Sequence, residues 1–422
     1  MELAGADNAT IALAREAVRA SLAQQLQARA LALPSLDAGA SLNEHWGNLQ
    51  SSGGVIEDVQ RQALYFGNGA GAIGAGTVDA PGVRLVAHVA DALFAPVSAR
   101  EEVSARRFEA ASVRNSILLD VVNAYFELIG AEAKLTALHQ SQGEVGEVAR
   151  ITANWAKAEA GRRGDADRAQ SEALLLQLEE RQAQEEAVTA AAELARLLNI
   201  DPSARLHGPG GDLPSVELVN SDVKLERLLE IAVSANPVIA ALSAEIAAAE
   251  ARWRQEQVRP LVPLLAVGFS AGQFGGGGNQ TDVRFGHFDG RSDFDAVALW
   301  TLENFGFGNR AVQRQRRAEL DARFAARLEA VDQVRREAAE AVADAAARRQ
   351  AIGVARKEMA TASASYREDL LRIRNKEGRP IEVLISANQL ATARLNFIRA
   401  IIEHDIAQFR LFVALGQAPV GW

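Results

Sequence analysis

Residues 381–416 read IEVLISANQLATARLNFIRAIIEHDIAQFRLFVALG, and this stretch decides the fold. Apolar or small residues recur in it at alternating steps of three and four where the run is unbroken, which is the pattern of a coiled-coil seam. They are Leu384, Ala391, Leu395, Ile398, Ile402, Phe409 and Phe412. The pattern predicts one long helix from Ile381 to Leu415.

A longer helical pattern precedes this one. From Asn309 to about Asn375 there is no proline and only one glycine, Gly353, and a similar apolar seam runs through the segment. The sequence Glu377-Gly378-Arg379-Pro380 then interrupts the pattern. An arm of about 65 residues would extend roughly 95 Å at 1.5 Å per residue. The two arms predict an antiparallel hairpin much longer than a compact domain needs.

The first half of the chain has the same arrangement. Helical patterns at 97–159 and 165–198 flank a break at Gly161-Arg162-Arg163-Gly164. Strand patterns precede each hairpin, at 33–50 and 83–94 and again at 261–274 and 293–302, with a glycine-rich loop predicted from Ser51 to Gly82. We therefore predict two structural repeats, 1–215 and 216–422. Within them, 33–94 and 261–303 hold strands and loops, and 97–199 and 305–416 hold helical hairpins.

Matching residues support a duplication. An offset of 229 aligns the first helices and strands, and an offset of 217 aligns the hairpins, which follows if the first loop is the longer one. The matches include Glu16 with Glu245, Pro34 with Pro263, Gly161 with Gly378, Asp165 with Glu382, and Leu194 with Leu411. The repeated order of elements is the stronger argument, since the identities are few.

Composition excludes several classes of protein. The chain has 422 residues, no cysteine, 5% aromatic residues and a net charge of -9. Few aromatics favour helices with narrow apolar seams over a thick core. The absence of cysteine rules out disulfides, thiolate metal sites and a lipid-modified cysteine in the chain as given. The acidic balance argues against nucleic acid as a partner.

No catalytic or cofactor site is predicted. The six histidines are scattered, and neither an H-E-x-x-H array nor a P-loop nor a nucleophile elbow is present. Residues Gly69 to Gly74 match G-x-G-x-x-G, but a nucleotide site needs a strand before this motif and a helix after it. We expect a protein that is not an enzyme and that binds no cofactor or metal.

The sequence has neither a predicted transmembrane helix nor the pattern of a signal peptide. The longest uncharged run, Pro260 to Thr281, contains prolines and four consecutive glycines and is interpreted as a strand with its loop. Glu2 and Asp7 precede the first basic residue, Arg15, and no apolar region follows. This start by itself favours a cytoplasmic location.

Four strands in one chain cannot close a barrel, because the smallest useful barrels have about eight. Left open, the sheet would expose its edges. Helical seams of this length also need partners along their whole extent. We therefore expect several copies of the chain to share one barrel.

Five motifs, in order, resemble the TolC-like outer membrane factors, which are efflux and secretion channels. They are Leu118–Leu128 (LLDVVNAYFEL), 161–169 (GRRGDADRA), Ala235-Asn236-Pro237, Trp300 with Asn304-Phe305-Gly306, and Gly378–Leu384 (GRPIEVL). The resemblance covers nearly the whole chain. It implies a mainly α fold with a small β part, in which three chains form a transmembrane barrel of twelve strands and a periplasmic tunnel of twelve helices. It also implies a passive outer-membrane conduit that works with a periplasmic adaptor and an inner-membrane pump.

The resemblance assigns the two hairpin turns to the gate and the adaptor-docking end. Glu382 matches a constriction acid, while the second acid of that pattern is replaced by Ile385. Symmetric carboxylates around a pore attract cations and repel one another, which suits a charge filter. Further gate candidates are Asp165, Asp167, Arg162, Arg163 and Arg379, and the docking candidates are Gly161, Gly164, Gly378 and Pro380.

Two alternatives stay open at this point. The charged turns also fit ordinary solvated hairpin tips, and the chain as a whole also fits a soluble coiled-coil scaffold without channel activity. The sequence does not distinguish small molecules, metals or polypeptides as the exported substrate.

Overall fold

The computed structural model describes residues 8–71, 79–81, 83–210, 213, 215–280 and 286–419. Their helices and strands, in chain order, are α1 (Ala9–Ala30), β1 (Ser35–Leu36), β2 (Ala38–Gln50), β3 (Ile56–Gly71), β4 (Asp79–Pro81), β5 (Val83–His88), α2 (Val89–Lys157), α3 (Arg163–Leu197), α4 (Leu225–Ala235), α5 (Pro237–Val258), β6 (Leu264–Gly278), β7 (Gly286–Leu299), α6 (Phe307–Arg374) and α7 (Pro380–Ala414). Short 3-10 turns cover Arg259–Leu261 and Glu303–Gly306. The fold is mainly α with a small β part, as the sequence predicts.

The chain divides into two compact units. We call the first the helical unit; it comprises Met1–Ala17, Arg107–Ala241 and Arg327–Trp422. The second, the sheet unit, comprises Val18–Arg106 and Leu242–Ala326.

Both long hairpins are antiparallel. In the first, Lys134 pairs with Glu186 and His139 with Glu180 as the two arms run in opposite directions. In the second, Ile352 and Ala355 of α6 pack with Ala400 and Ile401 of α7. The first hairpin begins at Val89, earlier than the predicted residue 97, and the predicted strand 83–94 ends at His88. The reason is a local cap, since the Ala90 N–H donates to His88 Nδ1 at 3.2 Å.

The ends of the two hairpins recur at one spacing. Helix α2 ends at Lys157 and α6 at Arg374, 217 residues later, and the same spacing separates the starts and the ends of α3 and α7. Each outgoing arm ends on a residue in the left-handed region, Glu159 (φ 56°) and Lys376 (φ 64°). The following N–H then reaches back five residues, from Ala160 to Trp155 O and from Glu377 to Arg372 O, both at 2.9 Å. This is the helix-ending motif that satisfies the last carbonyl groups.

The first helices of the two halves begin with the same kind of cap, at a spacing one residue shorter than the predicted offset. Asn8 and Asn236 both cap a helix, because their Oδ1 atoms accept the N–H of Thr10 and of Val238 at 2.9 and 2.8 Å. These caps lie 228 residues apart, not 229, so Glu16 and Glu245 are not equivalent positions. The strands that follow, from Ser35 and Leu264, do show the spacing of 229, which places one extra residue between helix and strand in the second half.

The sheet contains seven antiparallel strands among the described residues, with the order β1-β5-β6-β3-β2, and β7 on the other side of β6. Since β5 pairs with Leu264–Phe269 of β6 and β3 pairs with Ala271–Gly278, β3 and β5 lie one after the other beside β6. Apart from the three-residue β4, which pairs with β3, the strands occupy four side-by-side positions in the sheet, which we call lines: β1 with β2, β3 with β5, β6, and β7. The sequence predicts four strands, and the sheet has four lines. The second line differs from the prediction, because it contains β3 in addition to β5.

The predicted glycine-rich loop from Ser51 to Gly82 is wrong over most of its described length, because β3 runs through it. Glycine here permits close strand packing rather than loop formation. A Cβ on Gly67 would lie 2.5 Å from Gly272 Cα, and one on Gly276 would lie 2.6 Å from Gln62 O. Of the G-x-G-x-x-G match, residues 72–74 lie outside the described residues.

The two faces of the sheet differ in polarity. Strand pairing places on one face, which we call the apolar face, Leu36, Ala40, Leu42, Leu64, Phe66, Val83, Leu85, Ala87, Leu265, Val267, Phe269, Phe294, Ala296 and Ala298. Its large side chains are exposed, for example Leu42 (63%), Phe269 (48%) and Phe294 (69%). The opposite face mixes apolar residues with charged or polar ones such as Arg61, Arg84, Asp293 and Asp295.

Among the described residues, no single helix has both the length and the apolar character needed to cross a membrane. The bent pair Leu225–Ala235 and Pro237–Leu261, with 46° between its members, meets that criterion of length and composition only when taken together.

Candidate functional site

The two hairpin turns lie at the same end of the helical unit. A buried cluster beneath them takes side chains from all four long helices, including Val148 of α2, Ala169 of α3, Ile373 of α6 and Val383 of α7. These residues flank the turns on both sides, so packing of one core brings the two turns together. The predicted gate residues of the two turns therefore lie in the same region of the helical unit, although more than two hundred residues separate them in sequence.

Both turns depend on a glycine close to the end of the preceding helix. A Cβ on Gly161 would lie 2.9 Å from Trp155 Cβ, and one on Gly378 would lie 3.1 Å from Arg372 Cβ. The docking candidates Gly161 and Gly378 therefore have a structural role in turning the chain. Gly164 has open space around its Cα, and Pro380 is the first residue of α7, where the missing N–H costs nothing.

Glu382 lies in the first turn of α7 and caps it. The Arg379 N–H donates to Glu382 Oε2 at 3.3 Å, and Arg372 Nη1 lies 4.0 Å from the same oxygen. Arginine has no acceptor, so only the glutamate half of a capping box is formed. The carboxylate is half-buried and remains accessible at the tip.

Asp165 occupies the equivalent place in α3 but makes a different contact. Its side chain lies 3.5 Å from Arg168 Nη1 on the same helix. Asp167 is exposed at the tip, whereas its counterpart 217 residues later, Leu384, is buried. The two turns thus share a backbone and differ in charge.

The three arginines among the gate candidates are exposed. Within the described part of the chain, Arg162, Arg163 and Arg379 form no ion pair. Arg162 and Arg379 act instead as the residues preceding the first turns of α3 and α7, with extended backbone. Their side chains are available to groups outside this chain.

Contacts that sequence reasoning missed join the two hairpins just behind the tips. Arg394 of α7 forms two bonds of 2.7 Å to Glu144 of α2, and Arg374 of α6 lies 2.7 Å from Glu147. A third contact, from Asn388 Nδ2 to Glu172 Oε1, is 2.6 Å long. Arg394 and Glu144 are only 15% and 20% exposed, which strengthens their attraction. A hint was available for Asn388, because it falls between Leu384 and Ala391 at the spacing of the apolar seam of α7.

Tyr366 lies beside the same carboxylates. Burial, with Glu144 and Glu147 adding to it, raises the pKa of Tyr366 to about 12. The phenol therefore stays protonated at neutral pH and can donate a hydrogen bond. The polar layer behind the tips carries two arginines, two carboxylates and a neutral phenol over a small area.

A second polar site lies further along α7, where it holds the linker between the halves. Asp405 Oδ1 accepts the Val216 N–H at 2.8 Å, and Gln408 Oε1 accepts the N–H groups of Leu218 and Val219 at 3.1 and 3.3 Å. Asp405 is fully buried beside His404, and burial raises the pKa of its carboxyl. Side-chain acceptors on a helix thereby satisfy the backbone donors of a segment that forms no strand.

The helical unit also has a groove of about 1120 Å³ lined mainly by apolar residues of α2 and α7 and by the linker. Glu132 closes one side, because its carboxylate accepts the Gly208 N–H at 2.8 Å and lies 2.8 Å from His207 Nδ1. Among the described residues, no group of three or more His, Asp or Glu side chains is placed to hold a metal ion.

No protein-family model matches this sequence, and no curated protein matches it. Solved structures do match. The outer-membrane channel OprN superposes on 98% of this chain and 88% of its own, with a TM-score of 0.79 and 18% identity. The outer membrane protein VceC from Vibrio cholerae covers 99% of this chain and 95% of its own, with a TM-score of 0.75 and 16% identity. The open state of the MtrE outer membrane channel from Neisseria gonorrhoeae covers 99% and 88%, with a TM-score of 0.74 and 18% identity.

The chain therefore has the fold of the TolC-like outer-membrane channels. Sequence identity is low, so the likeness concerns the arrangement of helices and strands over nearly the whole chain. Two of these three structures, OprN and MtrE, are outer-membrane channels.

Proposed function

We propose that this chain is one subunit of a homotrimeric outer-membrane channel that serves as the passive exit duct of a tripartite export system. The sheet would span the outer membrane, and the helical hairpins would extend into the periplasm. The observation that carries the proposal is the apolar face of the sheet, most of whose large side chains are exposed in the described chain and would face lipid.

The apolar face has the height that a membrane requires. It extends from the level of Leu265 to that of Gly275, which pairs with Leu64. At about 3.3 Å per residue this distance is roughly 33 Å along the strands. A strand tilt of about 40° would reduce it to about 25 Å, the height of the apolar band of transmembrane strands. Within this height Gln273 and Ser292 are polar exceptions, and beyond it the face turns polar, at Glu44 and Gln62.

Three copies would close the sheet. Its outer lines, β7 on one side and β1 with β2 on the other, lack a further strand among the described residues. Three sets of four lines give twelve strands, which removes every open edge. Helix α3 offers a second contact for another copy, because Leu174, Leu175 and Leu178 are 55%, 49% and 56% exposed.

The tips would form the periplasmic gate. In a trimer, three copies of Glu382 would surround the axis, and Asp165 and Asp167 would add charge from the first hairpin. Such a ring favours cations and filters by charge. Arg162, Arg163 and Arg379 would pair with acids of neighbouring copies in the closed state, since they are unpaired within the described chain.

Opening would separate the second hairpin from the first. The contacts of Arg394 with Glu144 and of Arg374 with Glu147 oppose that separation, together with the contact of Asn388 with Glu172. The two turns, with Gly161, Gly164, Gly378 and Pro380, would dock a periplasmic adaptor that connects to an inner-membrane pump. The exported substrate stays open, because small molecules, metals and polypeptides would all use the same duct.

Expression behind a Sec-type leader tests this proposal. We expect a trimer in the outer-membrane fraction that dissociates on heating in detergent and forms ion-conducting pores in planar bilayers. A soluble monomer without pore activity would refute it and would favour the coiled-coil scaffold. The apolar face argues against that alternative, because a soluble protein rarely leaves so large an apolar surface uncovered.

A further inference from the structure

A short turn between the sheet and α6 exposes an unusual number of large apolar side chains. We call the segment Leu302–Arg310 the junction turn. Phe305 is 94% exposed and Phe307 is 74% exposed, and Leu302 is 62% exposed. Trp300, which is 60% exposed, lies just before this segment in sequence. Leu261, which is 73% exposed, lies in the 3-10 turn Arg259–Leu261. Exposure of such an apolar cluster to water is unfavourable, so we expect another molecule to cover it.

The backbone of the junction turn holds Phe305 in this exposed position. Asn304 (φ 48°, ψ 49°) and Phe305 (φ 56°, ψ 30°) both adopt left-handed conformations, which are unfavourable for a bulky residue. The buried Asn309 side chain fixes the turn, because its Oδ1 accepts the Glu303 N–H at 2.9 Å. The chain thus maintains a strained conformation whose visible result is an aromatic side chain directed away from the core.

Two arginines without ion pairs follow the aromatic residues. Arg310 and Arg314 are exposed and, within the described residues, contact no carboxylate. The next arginines of α6 differ, since Arg316 pairs with Glu319 and Arg317 with Asp321. Glu319 and Asp321, the first two acids of α6, are already engaged by these partners. Among the first four arginines of α6, the two without an ion pair are therefore the two nearest the aromatic residues.

Exposed aromatics next to unpaired arginines are typical of the membrane–water interface, where rings reach the acyl boundary and guanidinium groups meet lipid phosphates. The junction turn is also continuous with the apolar face. Trp300 follows Phe294, Ala296 and Ala298 at the two-residue period of that face. A groove of about 400 Å³ brings Leu302, Phe305, Phe307 and Arg310 to one surface.

We infer that the junction turn is a lipid anchor, with Phe305 and Phe307 inserted at the acyl boundary and with Arg310 and Arg314 on the phosphates of phospholipids. The anchor fixes the depth of the channel in its membrane. This inference rests on the proposed function, because only a membrane-spanning sheet would bring the turn to the lipid surface. A second copy of the chain is the competing occupant.

Single-cysteine labelling tests the anchor cleanly, because the chain has no native cysteine. Phe305→Cys, Val267→Cys and Phe324→Cys would each carry the environment-sensitive fluorophore NBD, and each protein would be reconstituted in phosphatidylcholine vesicles with or without brominated acyl chains. Val267 reports on the apolar face. Phe324 is the matched control, because it is an exposed phenylalanine of α6, roughly 28 Å beyond Phe305 at 1.5 Å per residue.

We expect brominated lipid to quench NBD strongly at positions 267 and 305 and to leave it unchanged at 324. Quenching at 267 with none at 305 would overturn the anchor and leave the proposed channel intact. In that case blue-shifted emission of NBD at position 305 would indicate that a second copy of the chain covers the turn. Green emission that iodide quenches would indicate that position 305 is exposed to water. Absence of quenching at 267 would refute the proposed function, and the anchor with it.

The role of Arg310 and Arg314 is measured by NBD quenching in the same kind of vesicles. With Arg310→Gln and Arg314→Gln combined in the Phe305→Cys protein, we expect the label to lose the extra quenching that phosphatidylglycerol adds over phosphatidylcholine. The control is Arg317→Gln, which removes an arginine already paired with Asp321. Equal lipid dependence in both proteins would refute a role of Arg310 and Arg314 in phosphate binding.

Discussion

The return arms of the two hairpins, α3 and α7, have the same length of 35 residues and the same spacing of turns and caps, yet their surroundings differ. Helix α3 buries 6 residues and α7 buries 16. At equivalent positions, 217 residues apart, α3 exposes Val188 (66%) whereas α7 fully buries Asp405. An equal backbone pattern therefore does not produce an equal role. Helix α7 is packed on several sides and carries the linker, while α3 keeps a free apolar surface.

The largest expected effect comes from truncating a core residue of α7. Leu390 is 2% exposed, so Leu390→Ala should lower the free energy of unfolding by about 2–5 kcal/mol. Leu178→Ala in α3 is the control, since an exposed site should change stability by less than about 0.5 kcal/mol. Guanidinium unfolding in detergent, followed by circular dichroism, measures both. Equal losses would remove the distinction between the helices, and dissociation of the trimer by Leu178→Ala would assign α3 to the subunit contact.

Substitutions at the equivalent positions Asp405 of α7 and Val188 of α3 test the same difference between the two helices. Asp405→Val leaves the Val216 N–H without its acceptor, which should lower the free energy of unfolding by about 1–3 kcal/mol. The loss is partly offset, because the substitution also removes a buried ionisable group. Val188→Asp should stay within about 0.5 kcal/mol, because its site is exposed. Denaturation of the two variants tests this. A neutral Asp405→Val would mean that the linker does not depend on this side chain.

The pH dependence of stability gives Asp405 a specific signature. Burial raises the pKa of its carboxyl in the folded protein above the ordinary value of 3.8. The folded state then holds a proton that the unfolded state has lost, so stability falls as the pH rises from the ordinary pKa through the raised one. Asp405→Asn keeps the acceptor for Val216 and should abolish this part of the slope. Unfolding free energies of both proteins across this pH range measure the difference, and identical slopes would contradict the assignment.

Contacts between the hairpins come next in size. If they hold the gate closed, Arg394→Gln should raise the ratio of open to closed channels on the order of tenfold, which corresponds to 1.4 kcal/mol. Arg374→Gln should act in the same direction with a smaller effect, because its ion pair is more exposed. Arg227→Gln is the control, because it removes an exposed ion pair within α4, with Glu230, that does not join the hairpins. Conductance in planar bilayers provides the measurement, and equal conductance for all three would restrict these arginines to a structural role.

The smallest effect is expected at the tips themselves. Glu382→Ala should change conductance or cation block, and Glu382→Gln separates charge from capping, because the amide oxygen can still accept the Arg379 N–H. Stability should change by about 0.5 kcal/mol or less for the amide variant. Asp165→Asn tests the counterpart in the first turn. Cation block unchanged in all three variants would leave these acids as surface charges.

Sequence periodicity was sufficient for the long helices, because a seam repeated over dozens of residues is a local property. It also placed both turns, because Gly161 and Gly378 interrupt the helical pattern. It failed for β3, where glycines indicated a loop. The pairing of Gly67 with Gly272 cannot be inferred from either segment alone, because the two partners are far apart in sequence.

The gate candidates show the same limit. Acids and arginines of the turns were identifiable from their residue type and their place between helices. The contacts of Arg394 with Glu144 and of Arg374 with Glu147 required the packed structure, because each joins positions more than two hundred residues apart. The junction turn was marked by Trp300 and Phe305, but the left-handed backbone and the exposure of Phe305 became visible only in three dimensions.

The sequence by itself determined the helices, their turns, the number of strand lines and the correspondence between the two hairpins, since all of these follow from local periodicity and from caps. Only the tertiary structure decided which return arm is buried, which face of the sheet is apolar and which charges meet behind the tips. The physical reason is that burial and pairing depend on neighbours contributed by distant parts of the chain. Two segments with the same pattern can therefore differ in what surrounds them.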